Sequence, residues 1–445
     1  MLDEFIKILS DIVSFKSIAI NHEECVAAAS YLKELLKNYG FSVDLINVKD
    51  GNPVIFAEIP GEEKESLLFY NHYDIQPADP LDEWKSDPFR LTRKDNYLFG
   101  RGVGDNKGNI VSRILAVKKV LDEYEQLPYG VKFVIEGEEE AGSGHLWTAL
   151  KMKREFFTNV FGVIWEFGGY GRDGSMALYL GLKGILYIEL KAKRLSRDAH
   201  SASAVILPSA IWDLIDFIED LRKNNFSQIE GFYRGIMDAR EIINEIRTAG
   251  FEIAFDPKGI KEEFGIKEFL NNMSDEEALI AYFSNPTFNI DGIISGYIGE
   301  GQKTVLPKEA RVKIDFRLPP YQDPYNISTK FCELAKKNNI ECEVLSISEP
   351  AYTDFKHPFV QSLIKFLNNY GQEIKIAPWS PASGPMHYFT KNLGLPTVAG
   401  IGVSYWSSCH HAPNENIRIQ DVERTINLLT KMLMDENLIV KSQIT

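Results

Sequence analysis

Residues 66–77 read SLLFYNHYDIQP. The apolar run is short and continuous, which predicts a strand buried on both faces. It ends on His72 and Asp74, two apart, so an extended backbone puts both on one face. Strand ends are where α/β sheets gather ligands. A carboxylate beside an imidazole fixes its tautomer and raises its basicity toward a metal. Taken alone, the string also fits a polar turn with a structural histidine. Working outward, buried strands of the same kind are predicted at 131–136 (VKFVIE) and 160–166 (VFGVIWE). A helix is expected over 23–39, with Val26, Leu32, Leu35, Leu36 and Tyr39 as its stripe and Gly40 as its stop. Another is expected over 108–122, where Ile110, Ile114, Val117 and Leu121 have helical spacing. Strands alternating with helices predict an α/β domain with a mostly parallel sheet.

Beyond Gly181 the pattern changes. ILYIELKAK, residues 185–193, alternates with period two, as a half-exposed strand does. A helix near 208–222, strands near 291–298 and 309–318, a helix over 325–337 and a strand over 341–348 follow. The order β-α-β-β-α-β is that of a ferredoxin-like split unit. Residues 224–289, rich in Glu, Lys and Asn, interrupt it. From about 353 the α/β pattern resumes. The expected organisation is a discontinuous α/β domain, 1–181 and 351–445, interrupted by a smaller α+β domain, 182–350, that carries the insertion 224–289.

Composition narrows the function. The 445 residues hold 49 Lys+Arg against 63 Asp+Glu, a net charge of 49 − 63 = −14. That balance argues against nucleic acid or an anionic membrane as partner, since both need a basic face. No apolar run reaches the ~18 residues of a membrane span. The longest candidate, 202–211, is broken by Pro208. The N-terminus carries Asp3, Glu4 and Lys7 where a signal peptide is apolar. The four cysteines, Cys25, Cys332, Cys342 and Cys409, form no CxxC pair, so no disulfide framework or cysteine zinc site is expected. A reducing cytoplasm is the expected location.

Four further strings carry chemistry. GRGVGDNKGN, 100–109, crowds glycines around Asp105 but lacks the spacing of a dinucleotide or phosphate loop. An aspartate in such a turn could bridge two cations. EGEEEAGSG, 136–144, puts four carboxylates within five residues at a strand end, where they repel unless a cation or a proton intervenes. Glu166 ends a third strand. CHHAPNENI, 409–417, follows the strand-like TVAGIGV. Imidazole with hard oxygen ligands suits zinc, manganese or cobalt. No HExxH pair exists, which argues against a single-metal zincin.

Together these strings resemble the co-catalytic di-zinc exopeptidase and amidohydrolase family. That family includes carnosinase-type cytosolic dipeptidases, aminoacylase, acetylornithine deacetylase, succinyl-diaminopimelate desuccinylase and bacterial glutamate carboxypeptidase. HxDxxP matches His72, Asp74 and Pro77. GRGxxDxKG matches Gly100 through Gly108. EGxEExGS matches Glu136 through Ser143, and HxxNE matches His411, Asn414 and Glu415. The order is kept across the whole chain. The segment from Tyr70 to Gly102 looks closest to the dipeptidase branch, which also carries a long lid insertion.

The resemblance implies a zinc-exopeptidase-like catalytic domain with a lid and dimerisation domain, and two divalent ions per chain: zinc by default, manganese or cobalt as alternatives. His72 and Glu166 would hold one ion, Glu140 and His411 the other, and Asp105 would bridge them through a cis Asp105–Asn106 peptide. Asp74 would orient His72. Glu139 would be the general base toward a water held between the ions. His200 would stabilise the oxyanion, reaching the partner's site in dimeric members. Arg317 would grip the substrate carboxylate, and Ser383 and Gly384 would line the substrate loop, where Ala382 replaces a common glycine. His22, His145, His357, His387 and His410 match no ligand position and are expected to be structural or exposed. The implied activity is exopeptidase cleavage of dipeptides or short peptides with a free C-terminus by a homodimer joined through the lid. The alternative is an N-acyl-amino-acid amidohydrolase using the same machinery.

Overall fold

A computed structural model describes residues 1–233 and 236–440. Residues 234–235 of the insertion, and 441–445 of the last segment, lie outside the described residues. The strand expected at 66–71 runs Glu63–His72, and its last eight residues are buried. It sits inside an eight-stranded sheet of order Ser42–Ile46, Val54–Ile59, Tyr129–Glu136, Glu63–His72, Val160–Tyr170, Thr397–Tyr405, Met176–Tyr179 and Ile374–Ala377. The four strands from Tyr129–Glu136 to Thr397–Tyr405 are mutually parallel. These are the strands with continuous apolar runs, as burial on both faces requires. Helices Leu2–Val13, Lys107–Tyr124 and Ile419–Leu433 contribute to the larger core on one face. Trp165, Leu146 and Phe389 belong to the core of the other face.

A second sheet is antiparallel throughout, in the order Asn289–Ser295, Glu309–Leu318, Gly184–Lys193 and Glu341–Ser348. Helices Ala210–Lys223 and Pro324–Lys337 cover it over a separate core. Connectivity and order are those of the ferredoxin-like unit. The two chain crossings between the sheets run side by side, Leu182 pairing with Ala351 and Gly181 with Tyr352.

Three sequence expectations change. Residues 224–289 were expected as part of the smaller domain, but most of them pack on the larger one. Ile243, Ile246 and Phe283 join the core of the eight-stranded sheet. Ile253 bridges to Ile376, and Trp379 Nε1 donates to the Phe283 carbonyl at 2.9 Å. The polar composition of the segment concealed this, because only one face of each helix is apolar. In the helix His22–Asn38 the buried face is Cys25, Ala28, Ala29, Leu32 and Leu36, leaving Val26 exposed. Small residues let the helix lie close to its neighbours. Finally, Cys332 and Cys342 form a disulfide. Helix Pro324–Lys337 turns back at Asn338–Asn339 into the strand Glu341–Ser348, bringing the two Cα atoms to 5.4 Å. Cys25 and Cys409 remain thiols.

Phe283 is fully buried where the insertion meets the larger core. Phe283→Ala should lower stability by about 3–5 kcal/mol, the usual cost of a large core cavity. Urea denaturation checks this, and an unchanged midpoint would show that the insertion is only loosely attached.

Candidate active site

Parallel pairing aligns the ends of the central strands. The Cα of His72 pairs with that of Glu136, so two strings sixty-odd residues apart end side by side. Glu166 lies on the next strand, Val160–Tyr170. The loop before helix Lys107–Tyr124 brings Asp105 across these ends, through a cis Asp105–Asn106 peptide. Asp105 Oδ1 lies 3.0 Å from His72 Nε2, and its Oδ2 lies 3.0 Å from His411 Nε2. His411 Nε2 is also 3.3 Å from Glu140 Oε2. One carboxylate thus faces two imidazoles with two different oxygens. Asp105, Glu140 and His411, with Glu139 and Glu166, open on a cavity of about 510 Å³, and His72 is buried.

Asp74 is fully buried. It accepts the backbone N–H groups of Glu139 at 3.2 Å and Glu140 at 2.9 Å. Its Oδ1 also lies 3.4 Å from His72 Nδ1. It therefore sets both the imidazole and the turn that carries the two glutamates. Glu138 points elsewhere, accepting from the backbone N–H of Asn52 at 3.0 Å and from that of His145 at 3.1 Å.

The electrostatics follow from crowding. Burial raises the carboxyl of Glu139 well above the usual range; His72 opposes this, while Glu166, Glu140 and Asp105 reinforce it. Burial and then Asp105 push Glu166 up to about 8. Burial acts the same way on Asp105, but hydrogen bonds from His411 and His72 outweigh it and hold that carboxyl well below the usual range. Bonds to Asp105 and then Glu140 raise His411 to about 10. His72 is likewise held well above its ordinary value: burial lowers it, but its bonds to Asp105 and Asp74 prevail. The cluster sets four carboxyl groups against two imidazoles, a surplus of anionic groups that protons on Glu139 and Glu166 relieve when no other cation does.

That surplus and the donor set fit divalent metal. One ligand atom each from His72, Asp105 and Glu140 lie within 4.8 Å of one another. This trio spans the two expected ligand pairs, as closely adjacent sites sharing Asp105 would allow. Mixed imidazole and carboxylate donors suit zinc, manganese or cobalt.

Several supporting residues were not legible as functional. Glu415, inside the quoted string CHHAPNENI, is buried and accepts from the backbone N–H groups of Gly102, Gly104 and Asp105 at 2.8, 2.9 and 3.1 Å, and from Arg101 at 3.0 Å. It holds the Asp105 loop. Arg113 donates to the carbonyls of Tyr70, Trp165 and Ile401, and so ties three parallel strands together beneath the site. Asn106 donates to Glu166 Oε2 at 3.2 Å. His410, expected to be structural or exposed, lines the cavity and bonds Ser404 Oγ at 2.9 Å.

The expected substrate groups are partly assembled. Ser383 lines the cavity, and Arg317 Nη1 donates to its hydroxyl at 3.1 Å. Gly384 leaves room for Glu139: a Cβ there would lie 3.1 Å from Glu139 Oε1. His200 is exposed, accepts the Ala202 N–H at 3.1 Å, and is not in the cavity wall of its own chain.

A carboxylate and imidazole cluster at the ends of parallel strands, suited to metal and open to a cavity, defines a metallohydrolase site. The chain belongs to peptidase family M20/M25/M40, whose sequence profile matches residues 68–435. It is therefore a hydrolase of peptide bonds. Beta-Ala-His dipeptidase of Rattus norvegicus is 30% identical over 347 residues, 74% of this chain and 70% of that protein. Cysteinylglycine-S-conjugate dipeptidase of Corynebacterium striatum is 27% identical over 420 residues, covering 91% and 88%. Among solved structures, an M20 family metallo-carboxypeptidase of Sulfolobus solfataricus superposes with a TM-score of 0.86 at 33% identity, covering 98% of this chain and all of that one. Human carnosine dipeptidase 1 shares the fold, with a TM-score of 0.76 at 24% identity, covering 98% and 97%.

Asp74→Asn replaces an acceptor with a group that must turn an N–H toward one of its donors. Metal affinity or turnover should fall about 10–100-fold, as for other carboxylates behind ligating histidines. Metal titration of the variant checks this; wild-type affinity and turnover would remove Asp74 from the account.

Proposed function

We propose that this chain is a metal-dependent dipeptidase, cleaving dipeptides or short peptides with a free C-terminus. The observation that carries the reading is Asp105, whose two oxygens face His72 and His411 separately beside Glu139. The names of the relatives support a peptide substrate over an N-acyl amino acid. His72, Asp105, Glu140, Glu166 and His411 would hold two divalent ions, zinc by default. Such ions supply Lewis-acid polarisation of a carbonyl and acidify water.

The chain's own residues do the rest. Glu139 takes the proton of the attacking water and returns it to the leaving amine nitrogen. Asp74 keeps the turn that aims Glu139 and Glu140. Arg317 and Ser383 receive the terminal carboxylate, a group that a guanidinium fork matches. His200 does not line this cavity, so its role at the oxyanion requires a second copy of the chain, joined through the smaller domain. The Cys332–Cys342 bond runs against a reducing cytoplasm as the location. No helix among the described residues is long and apolar enough to cross a membrane.

Glu139→Gln keeps the shape and removes the base. Its turnover on a dipeptide should fall about 10²–10⁴-fold with metal content unchanged. Wild-type turnover would sink the mechanism. Faster cleavage of N-acetyl amino acids than of any dipeptide by the wild-type enzyme would favour the amidohydrolase reading. A second expectation concerns His200→Ala. It should slow catalysis in the dimer, and a fully active monomer in light scattering would refute its action in the partner's site.

A further inference from the structure

Lys183 is 2% exposed and takes no part in the chemistry proposed above. It lies in the first chain crossing, between Gly181–Leu182, which pairs with the returning crossing, and Gly184–Lys193, which enters the smaller sheet. Its backbone N–H donates to the Ser380 carbonyl of the larger domain at 3.0 Å. Its ammonium donates to the carbonyls of Tyr282 and Asn285 at 2.7 and 2.8 Å. Those carbonyls close helix Asp275–Ser284 of the insertion. The last carbonyls of a helix have no partners of their own and carry its negative pole, so a cation there answers both. Burial, and then the charge of Arg317, push the ammonium down to about 8. A buried cation is costly, and this one ties the crossing to the insertion.

From that tie the chain runs directly to Arg317. The Thr287 N–H donates to the Arg317 carbonyl at 2.9 Å, and Thr287 Oγ1 accepts the Arg317 N–H at 2.9 Å. Asn289 Nδ2 donates to Asp315 Oδ2 at 2.9 Å, and Asp315 Oδ1 lies 3.3 Å from Arg317 Nε. Thr287 thus sets the backbone of Arg317, while Asp315 and Asn289 set its guanidinium. Trp379 Nε1, bonded to the Phe283 carbonyl, fastens the same segment to the larger domain.

We infer that the end of the insertion, residues 282–289, is the mount of the arm that receives the substrate carboxylate, and that Lys183 is its positioning residue. By fastening the crossing to that segment, Lys183 holds Arg317 in register with the carboxylate and imidazole cluster. The span from terminal carboxylate to scissile bond is fixed by the substrate, so a shift of the arm by about 1 Å costs binding. The inference rests on Arg317 receiving that carboxylate. It gives the insertion a part in substrate binding that neither sheet supplies.

The test is a double-mutant cycle in metal-loaded enzyme with Ala-Ala as substrate. Lys183→Met keeps a long unbranched side chain and removes the donors. KM should rise about tenfold while kcat changes by less than about threefold. Arg317→Met should raise KM at least as far. Beside Arg317→Met, Lys183→Met should raise KM no further, because it acts through the arm. Melting temperature checks folding. If Lys183→Met does not fold, the same cycle with Thr287→Val, at an exposed position, decides; its expected rise in KM is about threefold. Wild-type KM in the folded variant, or a rise that persists in full beside Arg317→Met, overturns the positioning role and leaves the carboxylate reading standing. Wild-type KM in Arg317→Met overturns the carboxylate reading itself, and the role of Lys183 falls with it.

Discussion

Everything in this structure answers to one electrostatic constraint. Asp105, Glu139, Glu140 and Glu166 are brought to the ends of parallel strands, around one cavity and largely out of water. Carboxylates so placed repel one another, and burial adds the cost of lost hydration. The imidazoles facing the cluster most closely, His72 and His411, are both raised in proton affinity by the anions they face. The supporting structure is arranged to prevent relaxation. Arg113 pins the strands below, Glu415 grips the Asp105 loop through three amides, and Asp74 clamps the Glu139–Glu140 turn. A rigid anionic cluster that cannot spread apart is what binds divalent metal.

Much of this was legible in the chain. Continuous apolar runs ending in His72, Glu136 and Glu166 located three parallel strands and the end that matters. The alternating ILYIELKAK run and the element order after it were enough for the ferredoxin-like unit. The residues gathered at the cavity were legible because their strings are short and local. What escaped is long-range. Glu415 stands beside readable ligands, but its partners are backbone amides more than 300 positions away. Arg113 looks like any cation on an amphipathic helix until strand carbonyls surround it. The Cys332–Cys342 pair depended on a helix turning straight back into a strand, and no spacing rule encodes that.

The insertion shows most clearly how composition misleads. Residues 224–289 are polar enough to suggest a solvated appendage. Yet Ile243, Ile246 and Phe283 extend the core of the larger domain, and Phe255, Ile260 and Tyr282 line a cavity that adjoins the catalytic one. The smaller domain contributes differently: Arg317, on its central strand Glu309–Leu318, reaches Ser383 of the larger domain. Substrate would thus be held between a fixed anionic cluster and a cation from the neighbouring sheet.

The central claim is that this cluster works only with divalent metal. The direct test is to strip the protein with chelator, count the ions that rebind, and assay dipeptide cleavage as Zn²⁺, Mn²⁺ or Co²⁺ is restored. The account predicts about two ions per chain and hydrolysis that vanishes and returns with them. Full activity in the stripped protein, or no ion bound and no hydrolysis under any metal, would contradict it.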